Sequence, residues 1–595
     1  MKELLTLAPY LRKYTGRILL GLLLVVVANI LTLAAPYLIR EAIDDLSLPG
    51  TDRSLILRYA ALILLAALLG GGARYLMREL LNGVSRWVEF DLRNRFFEHL
   101  LRLDASFYGR TPTGEIMSRA TNDIAAVRMV AGPAYMYLVN TVTVTILTVG
   151  LMIWIDPWLT FVTMIPMLAL PPITLAFSRI IHDRFESIQE RFGEMSTMVH
   201  ENLAGVRIVK AYGQEERQIS QFEEHSSDYL DRNVGLARAS GMFRPLLGLC
   251  SGLAMTAALL VGGREAMDGG ISQGDFVAFT LYLGMLAWPM IALGWVVSLF
   301  QRGAASMSRI NEILRTDPSI RQPDSPVGLP TVKGELEFRD VSFRYPGSDR
   351  LVLRDVSFRV AAGESLALVG QTGSGKSTLV HLMVRLYDPT EGIILLDGVP
   401  IREMDLDRLR AAVGIVPQDA FLFSETLRNN LAIGVDTTDS VQVEARIGAA
   451  TEIAQLSRTI SELPGGLGTT LGERGINLSG GQKQRATLAR AIARDPAILI
   501  LDDSLSAVDA HTEREILRGL KLVMKDRTTV LVSHRVSAVM GASQILVLED
   551  GSVVERGRHD ELMERGGAYA KLLRRQILEE EVGEEDKLAR PGAKI

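Results

Sequence analysis

Every apolar run long enough to cross a bilayer lies before about Phe300. A backbone in lipid must satisfy its own N–H and C=O groups, so runs of about 20 apolar residues can only become helices. Six spans are expected, at roughly 17–39, 55–77, 131–155, 158–181, 243–263 and 276–300. The second weakens near its end, where Gly70-Gly71-Gly72 precedes Arg74. No cleavable signal peptide is evident. A short amphipathic stretch, Met1 to Lys13, leads into the run Ile18 to Ile39, which reads as an uncleaved first membrane helix.

Loop charge sets the orientation. The segment after the second span carries Arg78, Arg86, Arg93, Arg95, Arg102, Arg110, Arg119 and Arg128, and the one after the fourth carries Arg184, Arg191, Arg207, Lys210, Arg217, Arg232 and Arg238. The opposite loops are short and poor in basic residues. The positive-inside rule therefore places both termini and both long segments in the cytoplasm of a multi-pass protein of the inner (plasma) membrane. Trp87 to Leu103 and Phe185 to Val209 keep apolar residues at helical spacing among charges, so the membrane helices are expected to continue into the cytosol. Hardly any ionisable residue lies inside the spans. That argues against ion-gradient coupling and for an apolar or amphiphilic cargo.

The net charge of −5 over 595 residues gives no basic face for nucleic acid. The single cysteine, Cys250, rules out an internal disulfide and a cysteine metal cluster, and is expected as a small buried hydrophobe.

Beyond a proline-rich linker, 317–333, the chain reads as a soluble α/β domain over 334–577, followed by an acidic tail, 578–595, expected to be disordered. Gly370, Gln371, Thr372, Gly373, Ser374, Gly375, Lys376, Ser377 and Thr378 fit the phosphate-loop pattern G-x-x-x-x-G-K-[ST]. Glu364 to Val369 before it is a buried-strand run, and Leu379 to Tyr387 after it has a helical apolar pattern. Such a loop closes backbone N–H groups around phosphate oxygens at a helix N-terminus. Lys376 is expected to reach the β- and γ-phosphates of ATP, and Ser377 to ligate Mg²⁺. Glu335 to Phe343 alternates as a half-exposed strand. Ala497 to Asp503 is an apolar strand ending in carboxylates, where a Mg²⁺-binding aspartate, Asp502, belongs. Leu478-Ser479-Gly480-Gly481-Gln482 precedes a helix expected over Lys483 to Arg494.

At these residues the chain closely resembles the ATP-binding cassette (ABC) family, whose signature is LSGGQ between a phosphate loop and an apolar strand ending Asp-Asp. Tyr345 matches the aromatic that stacks on adenine, and Gln418 the loop that senses the γ-phosphate and Mg²⁺. Ser506-Ala507-Val508-Asp509 matches the dimer-contact loop and His534 the switch histidine. Glu473-Arg474-Gly475 matches a segment found in exporters. In the membrane half, Thr113 to Arg119 with Asn122-Asp123, and Glu201 to Arg207, look like exporter coupling helices. The resemblance covers all but the acidic tail.

It implies a type I exporter fold, with a six-helix membrane domain over 1–316 fused to an α/β P-loop domain. The chain would then be a half-transporter working as a dimer, with ATP between the phosphate loop of one subunit and Ser479, Gly480, Gly481 and Gln482 of the other. Mg²⁺ would be held by Ser377, Gln418 and Asp502. The expected function is ATP-driven export of drugs or lipids by alternating access, with a homodimeric lipid flippase or a membrane-anchored ATP-gated regulator as alternatives.

One position departs from the family pattern. Where the family has a water-polarising glutamate this chain has Asp503, whose carboxylate is set back by about an ångström, a displacement that can lower a rate roughly 10²-fold. Many heterodimeric exporters pair an aspartate-bearing subunit with a glutamate-bearing one. The resemblance thus implies a different partner subunit and a hydrolytically weak site of Asp503, His534 and Gln418 in this chain.

Overall fold

The computed structural model describes residues 2–47, 53–329, 331–435, 437, 439–533 and 539–577. The acidic stretch Glu579 to Asp586 and His534 lie outside them. The chain forms two compact units, one of Met1–Leu101 with Thr113–Thr316 and one of Arg102–Pro112 with Asp317–Ile595.

Among its described residues the first unit holds six helices long and apolar enough to span a membrane: Thr15–Leu46, Arg53–Arg102, Thr113–Ile155, Pro157–Ala204, Glu215–Met267 and Gln273–Leu314. At 50 residues the second is about 75 Å long, more than twice a hydrocarbon core of about 30 Å, so it runs well past the lipid. The triple glycine does not break it. A Cβ at Gly70 would stand 3.4 Å from Leu31 Cβ, an ordinary contact, so the first two spans pack against each other there. The third span contains two π-helical turns, Arg119–Asp123 and Val130–Ala134, and the fifth one, Ala258–Gly262. Pro133 lies in the second of these turns, where its missing N–H removes one bond of the helical ladder.

The spans pack through large apolar residues including Leu33, Met152, Leu159, Phe279 and Tyr282, whose hydroxyl donates to Leu33 O at 3.1 Å. Leu64, Leu65, Leu68 and Leu69 stay exposed, an apolar face suited to lipid rather than water.

The second unit is built on two sheets. One has the order β2-β1-β4-β5, from strands β1 (Leu336–Phe343), β2 (Leu353–Val360), β4 (Glu391–Leu396) and β5 (Val399–Pro400). The alternation expected in β1 is interrupted because its register slips between Arg339 and Ser342, with Asp340 at φ 49°.

The other sheet runs β10-β9-β3-β8-β7-β6, from β3 (Ser365–Gly370), β6 (Val413–Val416), β7 (Ile498–Asp502), β8 (Thr528–Val532), β9 (Gln544–Glu549) and β10 (Ser552–Gly557). Strands β9, β3, β8, β7 and β6 are parallel. Residues Leu366 to Val369 and Leu499 to Ile500 have no exposure, as expected for strands covered on both faces.

The turn that groups with this second unit is Arg102–Pro112, whereas Thr113 to Arg119 groups with the membrane unit. Asp104 accepts from the Ser106 and Phe107 backbones and so caps a short helix, Ala105–Arg110. Its other oxygen accepts from the Ser319 hydroxyl and the Ile320 N–H. Arg119 pairs instead with Glu115 and Glu312, and Asp123 with Arg309, all in the membrane unit.

Candidate functional site

Four of the parallel strands end at one edge, and the sheet order decides what meets there. Strand β3 leads into the phosphate loop, β8 to Ser533, β7 to Asp502 and Asp503, and β6 to the segment carrying Gln418. Ligands of open α/β sheets bind at that carboxyl edge. A cavity of about 260 Å³ is lined there by Thr372, Gly373, Gly375, Lys376, Ser377, Thr378, Gln418, Asp502, Asp503 and Ser533, with Val352 and Val532. A second of about 610 Å³ shares Val352, Thr372 and Gly373 and adds Gln371, Ser374 and Arg350. Val352 and Val532 belong to no motif; Val532 closes β8, and Val352 lies just before β2.

The loop has its shape because its glycines take conformations closed to other residues. Gly373 and Gly375 lie at φ 85° and 102°. At Gly370 a Cβ would stand 2.3 Å from Leu548 O. The helix that follows is Lys376–Met383, so it begins three residues earlier than the apolar pattern suggests and ends before Tyr387. Lys376 Nζ donates to Gly370 O and Gln371 O, both at 2.8 Å. Burial pushes its ammonium pKa down, and the charges of Asp502 and Asp503 oppose that shift.

Asp502 is 5% exposed. Burial pushes its carboxyl pKa up, against the Ser377 hydroxyl that donates to it and the nearby His381 and Lys376. A buried carboxylate beside a hydroxyl, with the Gln418 amide lining the same cavity, is a set of hard oxygen donors. Among the described residues no group of three His, Cys, Asp or Glu could hold a metal by itself. Mg²⁺ suits this arrangement, since it takes one or two carboxylates and completes its shell with phosphate oxygens and water.

Asp503 sits at φ 48°, a left-handed conformation that aspartate tolerates better than most residues. Its N–H donates to Val532 O at 2.9 Å, fixing the position after the buried strand.

Two groups of expected site residues lie elsewhere. Tyr345 does not line either cavity. Its hydroxyl is 3.0 Å from Thr378 Oγ1, and its ring packs edge-on against Phe343 and Tyr387 at 4.9 and 5.2 Å. Ser479, Gly480, Gly481 and Gln482 also lie outside them. They open the helix Gly480–Ala493, which starts before the expected Lys483 because Ser479 and Gln482 form a capping box.

Known proteins share these features along nearly the whole length. Residues 18–290 match the family model for the ABC transporter transmembrane region and 353–506 that for the ABC transporter. The chain is 36% identical over 575 residues to the probable multidrug resistance ABC transporter ATP-binding/permease protein YheI of Bacillus subtilis (strain 168), covering 96% of this chain and 97% of that one. It is 34% identical over 580 residues to the multidrug resistance-like ATP-binding protein MdlA of Escherichia coli (strain K12), covering 97% of each. With the ATP-dependent lipid A-core flippase of Syntrophus aciditrophicus (strain SB) it shares 34% identity over 587 residues, 98% of this chain and 96% of that one. A solved structure of a bacterial Atm1-family ABC exporter with ATP bound superposes with a TM-score of 0.77 at 29% identity, covering 95% of this chain and 99% of that chain.

Proposed function

The chain belongs to the ABC transporter family, and from that membership we propose that it moves lipid-like amphiphiles across the membrane as one half of a dimeric exporter. The family carries the coarser statement: a six-span membrane domain is joined to an ATP-hydrolysing module that drives transport, with that module facing the cytoplasm. The observation behind the site assignment is the 260 Å³ cavity, which gathers the phosphate loop, Gln418, Asp502, Asp503 and Ser533 from the ends of four strands.

In this proposal Lys376 exchanges its two loop carbonyls for phosphate oxygens, and the N–H groups of the loop hold the triphosphate at the helix N-terminus. Ser377, Asp502 and Gln418 are the residues that would hold Mg²⁺, which when bound offsets phosphate charge. Asp503, with Gln418, orients water. Ser479 to Gln482 serve the nucleotide of the second subunit, in keeping with their place outside this chain's own cavities. The cargo assignment draws on apolar span surfaces and on relatives that include lipid flippases.

A second proposal concerns the partner. Asp503 stands where a glutamate would reach further, beside an otherwise full set of motifs, which favours a different subunit with the longer carboxylate. Cargo and partner are tested separately. For cargo, the chain with its partner is reconstituted in proteoliposomes and ATP-dependent movement of a fluorescent lipid is followed. Absence of ATP-driven movement for any lipid or amphiphile, with ATP still bound, would point to a regulator instead.

A further inference from the structure

Arg74 and Arg78 lie one turn apart on one face of the second span. They line a cavity of about 250 Å³ within the membrane unit, together with Asn29 and Thr32 of the first span, Asn140 of the third and Trp288 of the sixth. Arg74 Nη2 donates to Thr32 Oγ1 at 2.7 Å, and the Thr32 hydroxyl donates in turn to Ala28 O at 2.7 Å. Thr32 lies about 25 Å of helix beyond Thr15 at roughly 1.5 Å per residue, so the Arg74 guanidinium is held against the middle of the 32-residue first span. Asn29 is 5% exposed, and its amide nitrogen is 3.5 Å from Asn140 O.

No carboxylate lines the cavity. Among the described residues neither arginine forms an ion pair, and Glu79, next to Arg78, pairs with neither. Arginine stays charged at any accessible pH, and placing it inside a span is costly unless something compensates. Arg74 is such a charge, in spans that hold few ionisable groups, and Arg78 stands one turn further on at the end of the span. The volume falls below the roughly 300 Å³ at which pockets for drug-sized molecules begin. It suits a small charged group rather than a whole amphiphile. Next to it, Leu69, Tyr75 and Leu76 are exposed and apolar, a path for a chain that leaves the cavity.

We propose that this cavity binds the anionic headgroup, phosphate or carboxylate, of an amphiphile whose tail lies along the second span. The two guanidiniums supply forked, charge-assisted hydrogen bonds, and the Asn29 and Asn140 amides supply neutral ones. The proposal rests on the export reading and names the charge class of its cargo.

The test uses the full-length chain in nanodiscs, titrated with a monoacylglycerol phosphate, with a trimethylammonium amphiphile of the same tail, and with inorganic phosphate. The phosphate amphiphile is expected to bind roughly tenfold or more tightly than the cationic one. Arg74→Gln with Arg78→Gln should bring that ratio close to one, and the two lysine replacements should keep part of it. The ratio is taken within each variant, so a smaller folded fraction does not move it. Arg78→Gln alone, at a side chain with no hydrogen bond among the described residues, is the milder variant and should lose part of the preference.

Equal binding of the two amphiphiles, or a preference unchanged in the glutamine variants, overturns the proposal. Inorganic phosphate that competes as well as the amphiphile assigns the cavity to a free anion and overturns it too, whereas weak competition supports it. Lipid transport is followed in parallel. Transport without headgroup preference overturns this inference and leaves the export reading standing; preference without transport does the reverse.

Discussion

Gln484 Nε2 lies 3.0 Å from Ser506 Oγ, and the same side chain accepts the Ala507 N–H at 3.0 Å. Ser506 Oγ passes the link on to Asp503 O at 3.1 Å. A nearly buried amide therefore ties the helix that begins at Ser479 to the turn that follows Asp503. The end that would serve a second subunit's nucleotide and the carboxylate that would serve this chain's own are joined by three hydrogen bonds. Gln484→Leu keeps the bulk, removes both bonds and leaves the Ala507 N–H unpaired, at a loss of roughly 1–3 kcal/mol of stability. It is expected to lower ATP turnover of the assembled transporter more than ATP affinity, since it disturbs positioning and not the phosphate contacts. Thermal unfolding and steady-state ATPase measure the two effects. Unchanged turnover would show that the turn is held by other means.

Asp503 makes a separate forecast. Nucleotide binding relies on Lys376 and the loop N–H groups, which Asp503 does not supply, so the chain alone should bind ATP normally and hydrolyse it slowly. A glutamate-bearing partner should raise the rate, and Gln482→Ala or Ser479→Ala should remove that gain. Asp503→Glu should restore part of the activity, offset by strain, because φ 48° suits aspartate better than glutamate. ATPase of the chain alone against the co-purified pair decides it. A homodimer turning over as fast as a glutamate-bearing exporter would falsify the two-partner proposal.

Lys376→Ala removes an ammonium that now bonds two loop carbonyls as well as one expected to meet phosphate. ATP-dependent transport should disappear while the protein still inserts in the membrane. ATP affinity should fall by roughly tenfold or more, the scale of a charge-assisted hydrogen bond lost. Filter binding of labelled ATP and proteoliposome transport give the two values, and transport at the unaltered rate would remove Lys376 from the site.

Acid should loosen the turn at Asp104. Burial alone would raise that carboxyl, but hydrogen bonds from Ser106, Ser319 and Ile320 outweigh it and hold the pKa at about 2, below the ordinary 3.8. Its stabilisation is therefore complete above about pH 5 and is lost as pH falls from about 4 toward 2. After allowance for its partial exposure the contribution is roughly 1 kcal/mol. Asp104→Asn should lower stability by about that much at neutral pH and by nothing near pH 2. A difference between variant and parent that stays constant from pH 7 to 2 would show that the charge plays no part.

What could be read from the chain was what depends on near neighbours. The spans follow from unbroken apolar runs, and the phosphate loop from glycine spacing between a strand run and a helix. Strand order was not legible. Lys376, Gln418, Asp502 and Ser533 meet only because β3, β8, β7 and β6 pair in that order, and that pairing sets Ser365 of β3 beside Thr529 of β8. The short helix capped by Asp104 was not read, although the chain carries a local signal for it. An aspartate two residues before Ser106 and three before the buried Phe107 is an N-cap cue that Thr113 lacks. Arg74 was noted only where the second span weakens, and Arg78 only as loop charge. A cavity made by three other helices leaves no mark on its sequence neighbours.

The parallel edge of the sheet has a further consequence for how the molecule can vary. The phosphate grip follows β3 and the sensing amide follows β6, while the metal ligand Asp502 and the water carboxylate Asp503 stand side by side at the end of β7. Phosphate grip, metal ligand, water carboxylate and sensing amide can then change one at a time. A chain may lose speed at Asp503 and keep its hold on nucleotide at Lys376. Two such chains, with different losses, could divide the labour of one machine between them.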